Sequence, residues 1–191
     1  MLLELQRAIE AQHIDQLRAA IKTVENKRYI TRLQREYDQA KKLVLSLVRI
    51  EKLRHAVMEL DRKTMAEIRS YSRPPKLVHY VMRASLLLLG DHEGKTKKWQ
   101  NCQPRCKTIG PNDLLRRVRQ FNLKQVHPEI AARSKEILQH FRLDDVRDKS
   151  EGAAAFYVWA VGMAEELTVL TEVVGAVTPA DLTRQKEILT L

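Results

Sequence analysis

The chain has 191 residues, a formal net charge of +10, and a 44% hydrophobic share large enough to bury a core. Only six Gly and six Pro interrupt abundant Leu, Ala, Glu, Lys and Arg, a balance that predicts an all-α protein. No apolar run approaches the ~18 residues of a membrane span, the first residues carry no secretory pattern, and without secretion the two Cys are expected as free thiols.

Residues 3–28 contain a weak echo. Leu5–Ala11 resembles Leu17–Thr23, and both read as amphipathic helix. His13-Ile14-Asp15 between them is either a break, with Asp15 as N-cap, or part of one continuous helix.

From about Ile30 to Tyr71 no Gly or Pro intervenes. Apolar residues recur mostly in steps of three and four, from Leu33 through Leu43, Leu53 and Val57 to Met65 and Ile68. That predicts one long helix with a single apolar stripe. Some forty residues reach about 60 Å, which suggests a coiled-coil arm whose partner strand is the other long helix, near the C-terminus. Pro74-Pro75 predicts a kink or stop. A helix follows from Val78 to Leu89, with Gly90 as its C′ residue. Residues 91–111 read as a basic loop holding Trp99 and a short helix at 96–102. Asp113 caps a helix through Gln120. Pro128 opens the next, to Phe141. Asp144, Asp145 and Asp148 mark a charged turn. A long helix runs from about Ser150 to Val174, closed by Gly175 and Pro179, and Thr178-Pro179 starts a last short helix to Leu189.

The charge is concentrated. Between Lys95 and Lys124 stand nine basic residues and only Asp113 against them, a local net of +8. Such a patch predicts an acidic partner surface: tubulin, nucleic acid or an acidic membrane. The bland alternative is a solvated basic face. Gly90-Asp91-His92-Glu93-Gly94-Lys95-Thr96 resembles a phosphate-binding loop, but three residues separate its glycines where four are needed, and it follows a helical run. Cys102 and Cys106 lack a second pair, so a zinc site is not expected. The histidines are scattered and no catalytic arrangement stands out. Trp99 is interleaved with the patch and only Phe121 joins it, near the end, which leaves base stacking poorly supported, and no DNA or RNA motif is recognisable.

Several segments taken together resemble the stalk and microtubule-binding domain of dynein heavy chains. Met65–Val78, with Ser70-Tyr71-Ser72-Arg73-Pro74-Pro75, is similar to the distal first stalk helix. Val81–Gly90 is similar to the first helix of the tip, and Trp99 fits the Trp that follows it. Leu114–Asn122 is similar to the third helix. Val146–Ala154 and Val158–Met163 are similar to the last, which becomes the returning stalk strand. The match covers about residues 53–174.

The resemblance implies a helical tip on an antiparallel two-helix coiled-coil arm. Its expected parts are an N-terminal helical segment packing on the arm (1–29), a first arm helix (30–73), the tip (74–150), the final tip helix and returning strand (151–176) and a short helix (177–191). It implies tubulin as partner, possible axonemal neighbours, no membrane, a cytoplasmic, cytoskeletal and ciliary location, and no catalysis or cofactor in the module itself. The implied contact residues are His79, Arg83, Arg116, Arg117, Arg119 and Lys124, with Pro74 and Pro75 at the arm kink. Trp159, Leu86, Leu89 and Phe121 are expected in the core. Residues 1–52 do not resemble a stalk, Val158 stands where the family often has a basic residue, and Glu165-Glu166 follow. These departures favour an alternative: a non-catalytic axonemal adaptor that keeps the fold without strong tubulin affinity.

Overall fold

The computed structural model describes residues 1–107, 110 and 113–174. They are all-α, with no strand among them. The expected closing residues Gly175–Pro179 and the short C-terminal helix lie outside the described residues. The chain divides into two compact units, one of Met1–Lys52 with the end of the last helix from Thr168, the other of Leu53–Leu167.

In the first unit, α1 (Leu2–Ala11) and α2 (Ile14–Asn26) form a hairpin. Leu5, Ala8 and Ile9 face inward from α1, Leu17 and Val24 from α2. The break falls at Gln12, in the left-handed region, with His13 rather than Asp15 in the capping position. A 3-10 turn, Ile30–Arg32, leads into α3 (Gln34–Met58). The Tyr37 hydroxyl donates to Glu25 at 2.6 Å and ties α3 to α2. Tyr37, Ala40, Leu43 and Ile50 are buried.

In the second unit the expected uninterrupted helix is broken. α3 ends at Met58 and α4 (Arg62–Ser70) begins afresh, its first turn capped by the Asp61 carboxylate, which accepts from the Thr64 amide at 2.6 Å. A carboxylate at N-cap competes well with helix continuation because it satisfies an amide that would otherwise lack a partner. At the other end of α4, the Trp99 indole donates to the Tyr71 carbonyl (2.7 Å) and the Gln103 amide to the Arg69 carbonyl (2.7 Å), covering carbonyls a helix end leaves open.

Pro74 and Pro75 sit in the link to α5 (Lys76–Leu88), Pro75 at its N-cap. Gly90 follows at φ +91°, a conformation that glycine adopts without steric cost. The expected loop 91–111 holds α6 (Glu93–Thr96), α7 (Trp99–Cys102) and a 3-10 turn (Gln103–Cys106). Next come α8 (Leu114–Gln120), a 3-10 turn (Leu123–Gln125) and α9 (Pro128–Leu138), which stops three residues before Phe141. The charged turn is a short helix, α10 (Leu143–Arg147), ahead of α11 (Glu151–Val174).

The core of this unit forms where α5 packs on α9, joined by the Ser134 hydroxyl donating to the Ala84 carbonyl, and where α11 passes. Trp159 and Leu86 are fully buried, and Phe121 stacks edge-on against Trp159 with ring centres 5.1 Å apart. Leu89 is only half-buried. It stands at the C-cap, one step past the helix.

Two glycines let α11 approach its neighbours closely. A Cβ at Gly152 would lie 2.8 Å from Ile68 and Thr64 side-chain carbons, and one at Gly162 2.5 Å from a Leu53 methyl. The contacts run in opposite chain order, so this stretch of α11 lies antiparallel to residues 53–68. By length and composition Glu151–Val173 could span a membrane, but 61% of its most apolar stretch is buried within the protein, as in a helix at the centre of a globular core.

Candidate electropositive interface

The patch is built outward from α8. The Asp113 carboxylate caps this helix by accepting from the Arg116 amide at 3.1 Å. The Leu114 amide donates to the Lys107 carbonyl at 2.7 Å and fixes the start of α8 to the preceding turn. Leu114 and Val118, four apart, are buried. Arg116 and Arg119, three apart, share the opposite, exposed face. Neither guanidinium group forms an ion pair with a carboxylate among the described residues.

Two acidic residues just upstream of the patch absorb other arginines. One Asp91 oxygen accepts from Arg105 at 3.1 Å and the other from Arg117 at 2.6 Å, and Arg117 also donates to the Leu89 carbonyl. Glu93, 8% exposed, accepts from Arg83 and, through both oxygens, from Arg133. The Arg133 hydrogen bonds hold the Glu93 carboxyl below its usual range, against the effect of burial, and Arg83 adds to this.

Of the six implied contact residues, Arg83 and Arg117 are therefore internal ties. His79 is half-buried, its Nε2 at 3.0 Å from the Thr96 carbonyl and its ring edge-on to Trp99. Arg116, Arg119 and Lys124 are exposed. Lys124 sits in the turn after α8, where Asn122 accepts from its amide, and partial desolvation lowers the pKa of its amine. With Arg105 and Arg117 both tied to the one carboxylate of Asp91, the exposed cations of the patch are Arg116, Arg119 and Lys124 plus Lys95, Lys97, Lys98 and Lys107. A cleft of about 310 Å³ is lined by Leu88, Leu89, Gly90, Arg117 and Gln120 and by none of these exposed cations.

The remaining candidates are accounted for by packing. Thr96 is buried and its hydroxyl donates to the Glu93 carbonyl, so it points inward rather than toward a phosphate. Cys102 and Cys106 are buried free thiols. Burial pushes the first up to about 11 and the second to about 12, which keeps both protonated and unreactive at neutral pH. Among the described residues no group of three or more His, Cys, Asp or Glu is placed to hold a metal. Glu166, one of the two acids that depart from the family pattern, is 3% exposed and presents no charge to a surface; Val158, 37% exposed, does face outward.

The two acidic ties were missed by sequence reasoning. Asp91 and Glu93 fell inside a suspected loop, and their partners lie 10 to 40 residues away. The available signal was two acids at the edge of a strongly basic stretch. No family model matches this chain, and no curated protein matches it.

Proposed function

We propose that this chain is a microtubule-binding module of the dynein stalk-tip kind, in which α4–α11 form the tip and α3 with the end of α11 the arm. The observation that carries this reading is the Arg116–Arg119 pair: two exposed cations on one face of a helix anchored by Leu114 and Val118. Lys124 extends the charged edge. Arg83, Arg117 and His79 shape the surface rather than touch the partner. An acidic lattice attracts such a patch over a distance set by salt, about 10 Å at 0.1 M and about 3 Å at 1 M. Co-sedimentation with polymerised tubulin across that range tests it: binding falls steeply as salt rises. A protein that stays in the supernatant at low salt removes the proposal.

The exposed Val158 supports a second reading, an adaptor that keeps the helical fold but uses another face. That reading takes over if the wild type fails to pellet.

A further inference from the structure

The first unit carries a second charged surface, on α3. One exposed face of this helix presents Arg35, Lys41, Lys42, Leu45, Arg49 and Lys52. At 100° per residue these six fall within about a third of the helix circumference, and the stripe runs about 25 Å. The only carboxylate on it is Asp38, which accepts from the Gln34 amide at 3.0–3.1 Å. Lys41 stands over the Tyr37 ring. Exposed Glu51 projects about a third of a turn away. In the middle of the cations sits Leu45, 69% exposed, more than any other large apolar residue described.

We infer that this face of α3 is a docking surface for an acidic protein segment that brings one apolar side chain to Leu45. The charge calls for a partner rich in Asp or Glu, and its length suits a helix of about five turns. A leucine ringed by cations adds a contact that a purely solvated face does not need; at an interface, the apolar centre supplies affinity and the charged rim supplies steering. A membrane surface is a worse match, since an interfacial helix inserts a continuous apolar face and this stripe offers a single leucine. Nucleic acid is disfavoured because no aromatic accompanies the exposed cations for stacking. This surface uses no residue of α8 and does not rest on tubulin binding.

The test is fluorescence anisotropy at low salt with a labelled synthetic helix of about 18 residues, composed of Glu and Ala with leucines along one edge. The wild type binds it. Leu45→Ala weakens binding about tenfold, as truncation of a central anchor does. Lys41→Glu with Lys42→Glu weakens it further, while Arg116→Glu with Arg119→Glu leaves it unchanged. The inference is overturned if the wild type does not bind. It is also overturned if Leu45→Ala changes nothing, which would mark indiscriminate charge attraction, or if only the α8 reversal abolishes binding. Binding to phosphatidylserine vesicles in preference to the peptide would assign the face to a membrane and overturn it as well.

Discussion

Glu93 is a single side chain on which the second unit depends. It is nearly closed off from water and faces two guanidinium groups, so replacing it leaves Arg83 without its partner in a mostly buried position. Breaking a buried pair by removing one member costs about 3–5 kcal/mol, and the access of Arg133 to solvent brings the expectation to about 2–3 kcal/mol. Urea denaturation at pH 7 of Glu93→Gln measures it. The pH dependence has a definite sign. The folded-state pKa of Glu93 is lowered, so its contribution is present above the ordinary Glu range and is lost as the pH falls through the folded value. The gap between wild type and Glu93→Gln therefore narrows on acidification below about pH 4. A gap that widened in acid would contradict this account of the pair. At this scale the sequence was only partly legible. Trp159 and Leu86 are recognisable as core from their helical spacing, and Phe121 is expected there from the resemblance. The diversion of Arg83 and Arg117 into internal ties is not, because it depends on acids that only the fold brings close.

At the scale of helices, local chemistry announced itself and close approach did not. Asp113 as a cap, Pro128 at the first turn and Gly90 after α5 follow from side-chain and backbone chemistry that acts within four residues. The break between α3 and α4 was masked by the absence of Gly and Pro. Its traces were the five-residue step from Leu60 to Met65, the widest in the apolar stripe, and the Asp61 cap inside that step. Gly162 resembled an unremarkable residue within a helix, yet it is where Leu53 presses against α11. Gly162→Ala gains helix propensity of about 1 kcal/mol but forces an overpacked contact costing about 1–3 kcal/mol, so a net loss of about 1 kcal/mol is expected by thermal or urea denaturation. With Leu53→Ala in place the clash is gone, and adding Gly162→Ala should then stabilise. A double-mutant cycle without this change of sign would mean that the two positions do not press on each other.

For the whole molecule, the +10 charge matters through its placement. The all-α class was legible from composition alone, because scarce turn-formers and a helical apolar period agree. The exposed cations are less legible: a count along the sequence gives nine in the patch, and the fold withdraws Arg105 and Arg117 from it. Of what remains, Arg116 and Arg119 share one exposed face of α8, and the role of that pair is the central claim. Its most direct measurement is co-sedimentation with microtubules at low salt of Arg116→Glu combined with Arg119→Glu, alongside Arg18→Glu combined with Lys22→Glu on the exposed side of α2. Circular dichroism should show equal helical content in both, since all four side chains are exposed. Removing a charge-assisted hydrogen bond at an interface costs about 1–3 kcal/mol, so the α8 pair should weaken binding at least tenfold and the α2 pair hardly at all. Equal pelleting of the two variants and the wild type would contradict the assignment of microtubule binding to α8.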